Sequence, residues 1–194
     1  ALRKNLLLFF ERRLMNASDL VVTMTASGTS TLRQHGITRP LIVVPNASSL
    51  TRRKAPSPFP RRRYLLYVGT LRDVEGIDNL LRSFALIHKA LPTLSCAIIG
   101  GGDVKKWQAY AKKLRLGNSV LFLGEISYQH LLPYYQHALL FVHPRKNVTY
   151  HKDIIGLKFY DALRAGLPFV TSDVGEMAAL IKHSHVGAVT CPGD

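Results

Sequence analysis

The sequence predicts an α/β fold, a Rossmann-like parallel sheet flanked by helices, on three observations. From Tyr64 onward, short β-rich runs alternate with helical patterns. The runs lack polar alternation, as strands covered on both faces do. Each stretch between runs is long enough for a crossover helix.

Taken in order, residues 1–47 form a separate piece. An amphipathic helix (Leu2, Leu6, Phe9, Phe10, Leu14) is followed by a strand LVVTM, a second helix from Ser27 to a stop at Gly36, and a strand LIVV ending at Pro45. These elements are too few to close a domain. Residues 48–63 read as a basic, proline-rich linker. Arg52, Arg53, Lys54, Arg61, Arg62 and Arg63 bracket APSPFP, which favours extended chain over helix. Residues 64–194 form the α/β domain, read as truncated at its C-terminus. Its strands are YLLYV (64–68), SCAII (95–99), VLFL (120–123), LLFV (139–142), PFVT (168–171) and GAVT (187–190). Between them, Ile77, Leu80, Leu81, Phe84 and Ile87 recur at helical spacing, as do Trp107, Tyr110, Ala111 and Leu114, and Phe159, Ala162 and Leu163.

Composition limits the function classes. The 194 residues are 47% apolar and 20% charged, which excludes a disordered or fibrous chain. Two cysteines, Cys96 and Cys191, are too few for a disulfide scaffold and point to a reducing compartment. The run Leu6 to Phe10 is far shorter than the ~20 residues of a membrane span, and no small-residue cleavage site follows it. A cytoplasmic protein is expected, and the sequons at Asn16, Asn46 and Asn147 are then chance. The formal charge of +14 is uneven: residues 1–63 carry 12 basic and 2 acidic side chains, residues 64–194 carry 14 and 10. That excess suits a solvated linker first, then anionic lipid or an acidic substrate. No nucleic-acid module accompanies it, so no nucleic-acid partner is expected.

In open parallel sheets, ligands bind beyond the carboxyl ends of the strands. After the first strand comes Gly69-Thr70-Leu71-Arg72, where Gly69 lets a ligand approach the backbone and Arg72 can reach a phosphate. An ordinary turn is the plainer alternative. After the second comes Gly100-Gly101-Gly102-Asp103, a turn that a flat base or sugar could abut, without a dinucleotide or P-loop fingerprint. After the third comes Gly124-Glu125-Ile126-Ser127. The fourth segment, Asp153 to Pro168, predicts a helix beginning near Ile155 whose free N–H groups form an anion seat over Gly156. Lys158 and Asp161 then share one face, as a phosphate cation and a carboxylate for sugar hydroxyls, or as an exposed ion pair worth less than ~1 kcal/mol. His143, His151, His183 and His185 match no metal-ligand pattern, and no metal is expected.

The series YVGTL, IIGGGD, VLFLGEIS, HPRKN and DxxGLKxxDALRAGLPFVTSDVGE resembles the nucleotide-binding half of family 4 retaining glycosyltransferases of the GT-B fold. Residues 17–47 resemble the last elements of that family's acceptor domain. The resemblance implies transfer of a sugar from a nucleoside-diphosphate donor to a hydroxyl of a sugar or lipid-linked glycan, with retention and without cofactor or metal, in polysaccharide or glycoconjugate biosynthesis. The family's two-carboxylate motif falls on Asp153 (donor sugar) and Asp161 (ribose), aspartates where the family has glutamates. The diphosphate falls to Gly69, Thr70, Arg72, Gly156, Leu157 and Lys158, with Asp153 and Lys158 as the catalytic pair. The base falls to Gly101, Gly102, Glu125 and Ile126. Thr70 and Glu75 stand where the family commonly has an arginine and a lysine, which leaves Lys158 as the main phosphate cation. A catalytically degenerate binding or assembly module is the alternative, and a nicotinamide enzyme a distant third. The sequence reads as a fragment that binds donor without transferring sugar. The basic first helix (Arg3, Lys4, Arg12, Arg13) is open to two readings: contact with the inner face of a membrane, or packing into the rest of the acceptor domain.

Overall fold

A computed structural model describes residues 2–50 and 53–193, with side chains in the first helix from Asn5 onward. Arg52, Asp194 and the side chains of Leu2, Arg3 and Lys4, all part of the sequence reading, lie outside the described residues.

The elements are α1 (Leu2–Ala17), β1 (Val21–Thr23), α2 (Ala26–Gln34), β2 (Leu41–Val43), β3 (Arg63–Val68), α3 (Ile77–Ala90), β4 (Leu94–Ile99), α4 (Val104–Lys113), β5 (Val120–Phe122), α5 (Leu132–His137), β6 (Leu140–His143), α6 (Thr149–Lys152), α7 (Leu157–Arg164), β7 (Phe169–Ser172), α8 (Gly175–Ser184) and β8 (Gly187–Thr190). Six strands form one parallel sheet in the order β5-β4-β3-β6-β7-β8. The expected α/β architecture is therefore present.

Alternating side chains of β3 enter two different cores, as the pleat requires. Tyr64 and Leu66 join Phe141, Phe159, Phe169 and Met177 on one face. Leu65 and Tyr67 join Ile77, Leu81, Phe84 and Trp107 on the other. This double burial is why β3 and β4 read as continuous apolar runs. Cys96 is fully buried in β4, and Trp107 is core, its indole N–H donating to Leu71 O at 3.1 Å. The edge strand β8 departs from the expected pattern. Gly187, Ala188 and Thr190 are exposed, and among the described residues no strand pairs with the outer edge of β8.

β1 and β2 form a separate two-stranded parallel sheet. On α1, Leu6, Leu7, Leu8, Phe9, Phe10 and Leu14 are all exposed. Consecutive residues point in different directions around a helix, so the apolar surface of α1 is broader than the single stripe of an amphipathic helix. The described part of the linker lies along the body of the protein. Leu50 is buried in the core, the Phe59 ring packs edge-on against Tyr64 at 5.3 Å, and the Ala55 N–H donates to Gln136 at 3.0 Å. Two acids fasten α2 to the large sheet's helices. Glu176 of α8 accepts from the Ala26 and Ser27 N–H groups (3.1 and 2.8 Å) and the Ser27 hydroxyl (2.6 Å). Asp153 accepts from Thr25 through its main-chain oxygen (2.7 Å) and from Thr31 through its carboxylate (2.8 Å). Among the described residues no helix is long and apolar enough to cross a membrane.

Candidate functional site

The chain runs outward from β3 through β4 to β5, then returns to lay β6 against the opposite side of β3. Loops leaving β3 and β6 diverge, and the crevice between them is the natural ligand position in such a sheet.

The loop after β3 is stitched to its neighbours by backbone. Gly69 N–H donates to Ile99 O at 2.9 Å, Leu71 N–H to Gly101 O at 2.7 Å, and the Tyr67 hydroxyl to Thr70 O at 3.1 Å. A single tight turn, Asp73–Glu75, then leads to Gly76, whose φ is +75°. A side chain at Gly76 would collide with the Pro144 carbonyl, so glycine lets this loop lean on the one leaving β6. From the β6 side, Arg145 is buried and its guanidinium donates to His151 O (3.2 Å) and Ile154 O (2.8 Å). Those bonds shape the segment that enters α7.

The helix expected from Ile155 begins two residues later, at Leu157, with Gly156 in extended conformation at the N-cap. Ile155 instead turns into the core, which ends its availability to the helix. No side chain caps the first-turn amides of α7, and Lys158 remains in that turn. Its ammonium lies against Gly69 and 5.9 Å from the Tyr67 ring centre; a methyl group on Gly69 would overlap it. Burial brings the Lys158 ammonium down to about 8; Glu75 opposes the shift, and Arg145 and Arg72 add to it.

Glu75 is the central group. It is 5% exposed. One oxygen accepts from Arg72 at 2.8 Å, and the other faces Nε2 of His143 and His151 at 3.6 and 3.8 Å. Burial pushes the carboxyl up, but His143, His151, Arg72 and Lys158 together hold it well below the ordinary carboxylate range. Burial takes the His143 imidazole down to about 3, against the pull of Glu75, so this ring is neutral. Neither histidine Nε2 nor Arg145 Nε reaches a hydrogen-bond partner.

The other expected site residues have separate surroundings. Thr70 and Leu157 are exposed beside the crevice. Arg72 is committed to Glu75 and lies 5.6 Å from the Tyr150 ring. Asp161 is buried and accepts from the Tyr128 hydroxyl at 2.8 Å. Among the described residues no ion pair joins Lys158 to Asp161, so the exposed-pair reading falls away. Gly101 lies directly against the Glu125 carboxylate, Gly102 bridges to Leu71, and Ile126 packs on the core. The Asp153 carboxylate accepts from Thr31 of α2. Among the described residues no group of three or more His, Cys, Asp or Glu side chains is arranged to hold a metal ion.

A family profile described as glycosyl transferases group 1 matches residues 48–194. The chain belongs to that family. Glycogen synthase of Mycobacterium tuberculosis is 28% identical over 144 residues, 71% of this chain and 34% of the relative. The chain thus spans about a third of that relative's length. Among solved structures, Anabaena HepE in complex with UDP and glucose superposes with a TM-score of 0.80 at 20% identity, covering 96% of this chain and 53% of that one. Sucrose-phosphate synthase from Thermosynechococcus elongatus gives a TM-score of 0.78 at 22% identity, covering 96% and 49%. The six-stranded sheet and its helices match these GT-B glycosyltransferase structures.

Within this group 1 glycosyltransferase chain, four residues escaped sequence reasoning as site residues: Arg145, His143 and His151 near Glu75, and Tyr128 on Asp161. Both histidines are buried, and their Nε2 atoms face Glu75. One signal was available for Arg145. It follows the strand that returns beside β3, the position where a strand-order reversal concentrates ligand contacts.

Proposed function

We propose that the chain is the donor-binding part of a retaining glycosyltransferase that takes a nucleoside-diphosphate sugar. The observation carrying this reading is the charge arrangement at the crevice. Arg72 pairs with the buried Glu75, Arg145 is buried on the β6 side, and Lys158 stands beside Gly69 in the first turn of α7, whose amino end is uncapped. That leaves an excess positive charge suited to a diphosphate, and helix N–H groups add to it without a metal.

As the bond between anomeric carbon and diphosphate breaks, negative charge grows on the leaving oxygen. Lys158 and the α7 amides stabilise it, with Gly69 and Gly156 keeping the approach open. Asp153 holds the donor sugar, Asp161 accepts from the ribose, and the base lies against Gly101, Gly102, Glu125 and Ile126. The acceptor hydroxyl, on a sugar or lipid-linked glycan, attacks from the face the diphosphate leaves. The placement is cytoplasmic, with peripheral contact at the inner membrane face in glycoconjugate synthesis. The complex of HepE with UDP and glucose supports a nucleotide-sugar donor.

Calorimetry with UDP, GDP and ADP against NAD tests the site. One diphosphate is expected to bind, with Lys158→Ala and Asp161→Ala each weakening it. The intact protein is expected to transfer sugar, whereas residues 1–194 alone bind donor without transfer. Thr70 and Glu75 favour the second reading, a degenerate module: diphosphate binding by an intact protein that transfers no sugar would select it. Equal activity in wild type and both variants would remove the site.

A further inference from the structure

The acid assigned to the ribose is held in one orientation by a side chain from another loop. Asp161 of α7 is 3% exposed, and its Oδ1 accepts from the Tyr128 hydroxyl at 2.8 Å. Among the described residues no other donor bonds to this carboxylate, so Oδ2 remains for a ligand. The Tyr128 oxygen is itself constrained, because it accepts from the Ser49 N–H at 3.2 Å. A carboxylate can only accept and a backbone N–H can only donate, so the single phenolic proton must point at Asp161.

Both sides of this relay are anchored. Tyr128 opens the turn Tyr128–His130, two residues after Ile126 and three after Glu125, the pair assigned to the base. Its ring packs, partly buried, against the core that also holds Phe159 and Ala162 of α7. On the linker side, residues 46–50 follow α7 from end to end. Asn46 Nδ2 donates to Ile155 O (3.1 Å) just before the helix, Ser49 reaches Asp161 through Tyr128, and Arg164 Nε donates to Leu50 O (3.2 Å) at the far end. Leu50 is buried, which fixes this strap in place.

We propose that Tyr128 is a positioning residue for donor recognition: its hydroxyl holds Oδ1 of Asp161 and so keeps Oδ2 directed at the ribose hydroxyls of a nucleoside diphosphate. The inference rests on the donor-site reading above and deepens it by naming the group that orients the ribose acid. Without the hydroxyl, the carboxylate loses its one fixed donor and no longer presents a single oxygen to the sugar. A phenylalanine ring keeps the packing of Tyr128, so contacts to base and diphosphate persist while the ribose contact weakens.

The test compares UDP or GDP, whichever wild type binds, with the matching 2′,3′-dideoxynucleoside diphosphate. Calorimetry on the intact protein, by competition where binding is weak, gives both affinities in wild type, Tyr128→Phe, Asp161→Asn and the double variant. Wild type should bind the ribonucleotide roughly 10- to 150-fold more tightly than its dideoxy counterpart, the range of a hydrogen bond to a charged group. Tyr128→Phe should shrink that ratio at least about fivefold and leave affinity for the dideoxy compound within about twofold of wild type. In an Asp161→Asn background, Tyr128→Phe should not change the ratio further. Equal losses for both compounds in Tyr128→Phe, as a merely structural role would give, or a ratio unchanged from wild type, would overturn the proposal and leave the donor site standing. A wild type that binds the two compounds equally removes the ribose assignment of Asp161 and the proposal with it, and one that binds neither overturns the donor-site reading itself. Should Tyr128→Phe fail to fold, Tyr128→His decides: its shorter ring stops short of Asp161, so the ratio must fall there too, and a wild-type ratio refutes the proposal.

Discussion

Replacing Lys158 with methionine should make the free protein more stable while it weakens donor binding. Burial and its neighbours lower the ammonium from an ordinary 10.5 to about 8. Each pKa unit corresponds to ~1.4 kcal/mol, so the folded state holds this charge at a cost of about 3 kcal/mol at neutral pH. Methionine fills similar space without the charge, so the gain should be about 2–3 kcal/mol. The folded value lies below the unfolded one, so the unfolded chain binds the proton more tightly. Wild-type stability should therefore rise as pH increases from about 8 to 10.5, and the variant should lack this increment. Loss of a charged hydrogen bond to phosphate should weaken UDP or GDP binding by ~1.5–3 kcal/mol, roughly 10- to 150-fold. Urea denaturation at neutral and alkaline pH measures the first effect and calorimetry the second. A variant less stable than wild type at neutral pH would show that the ammonium sits in a favourable field, and the reasoning would fail.

Three further outcomes follow from the same contacts. Gly69→Ala needs no left-handed backbone, but its methyl group would crowd both the Lys158 ammonium and the hydroxyl of the buried Tyr67, so it should weaken diphosphate binding and lower stability in urea denaturation. In a Lys158→Met background the same change should have no further effect on affinity, which a double-mutant cycle would read. Tyr128→Phe removes the 2.8 Å bond to the buried Asp161 carboxylate and should cost ~1.5–3 kcal/mol by urea denaturation. Burial raises the Glu176 carboxyl, but Ser27 and Ala26 hold it below its ordinary value, so its contribution is present above the unfolded carboxyl value and lost as pH falls through the folded one. Glu176→Gln should flatten that acid limb in pH-dependent denaturation.

Much of the fold was legible because its signals are local. The six strands of the large sheet lie within one or two residues of the runs that predicted them, since β-rich runs bounded by turns leave few other options. The start of α7 was misplaced because Ile155 has a helical neighbour pattern but is drawn into the core by packing. Gly69 and Lys158 could be brought to one crevice from the strand order alone. Strand order also places Arg145 beside that crevice, but its hydrogen bonds to the His151 and Ile154 carbonyls, six and nine residues further on, were not legible. Glu75 shows the remaining gap most clearly. The sequence exposes its sign, but not its burial beside the Arg72 guanidinium and two imidazoles.

The fastening of α2 has a mechanical consequence. Five hydrogen bonds converge on only two residues, Asp153 and Glu176. Any swing of the amino-terminal piece away from the sheet must release both anchors together, as a hasp opens in one motion. Asp153 is also the carboxylate read as gripping the donor sugar, so opening that hasp frees the same acid for substrate. On that proposed assignment, one side chain would serve both as an anchor of α2 and as a ligand of the sugar.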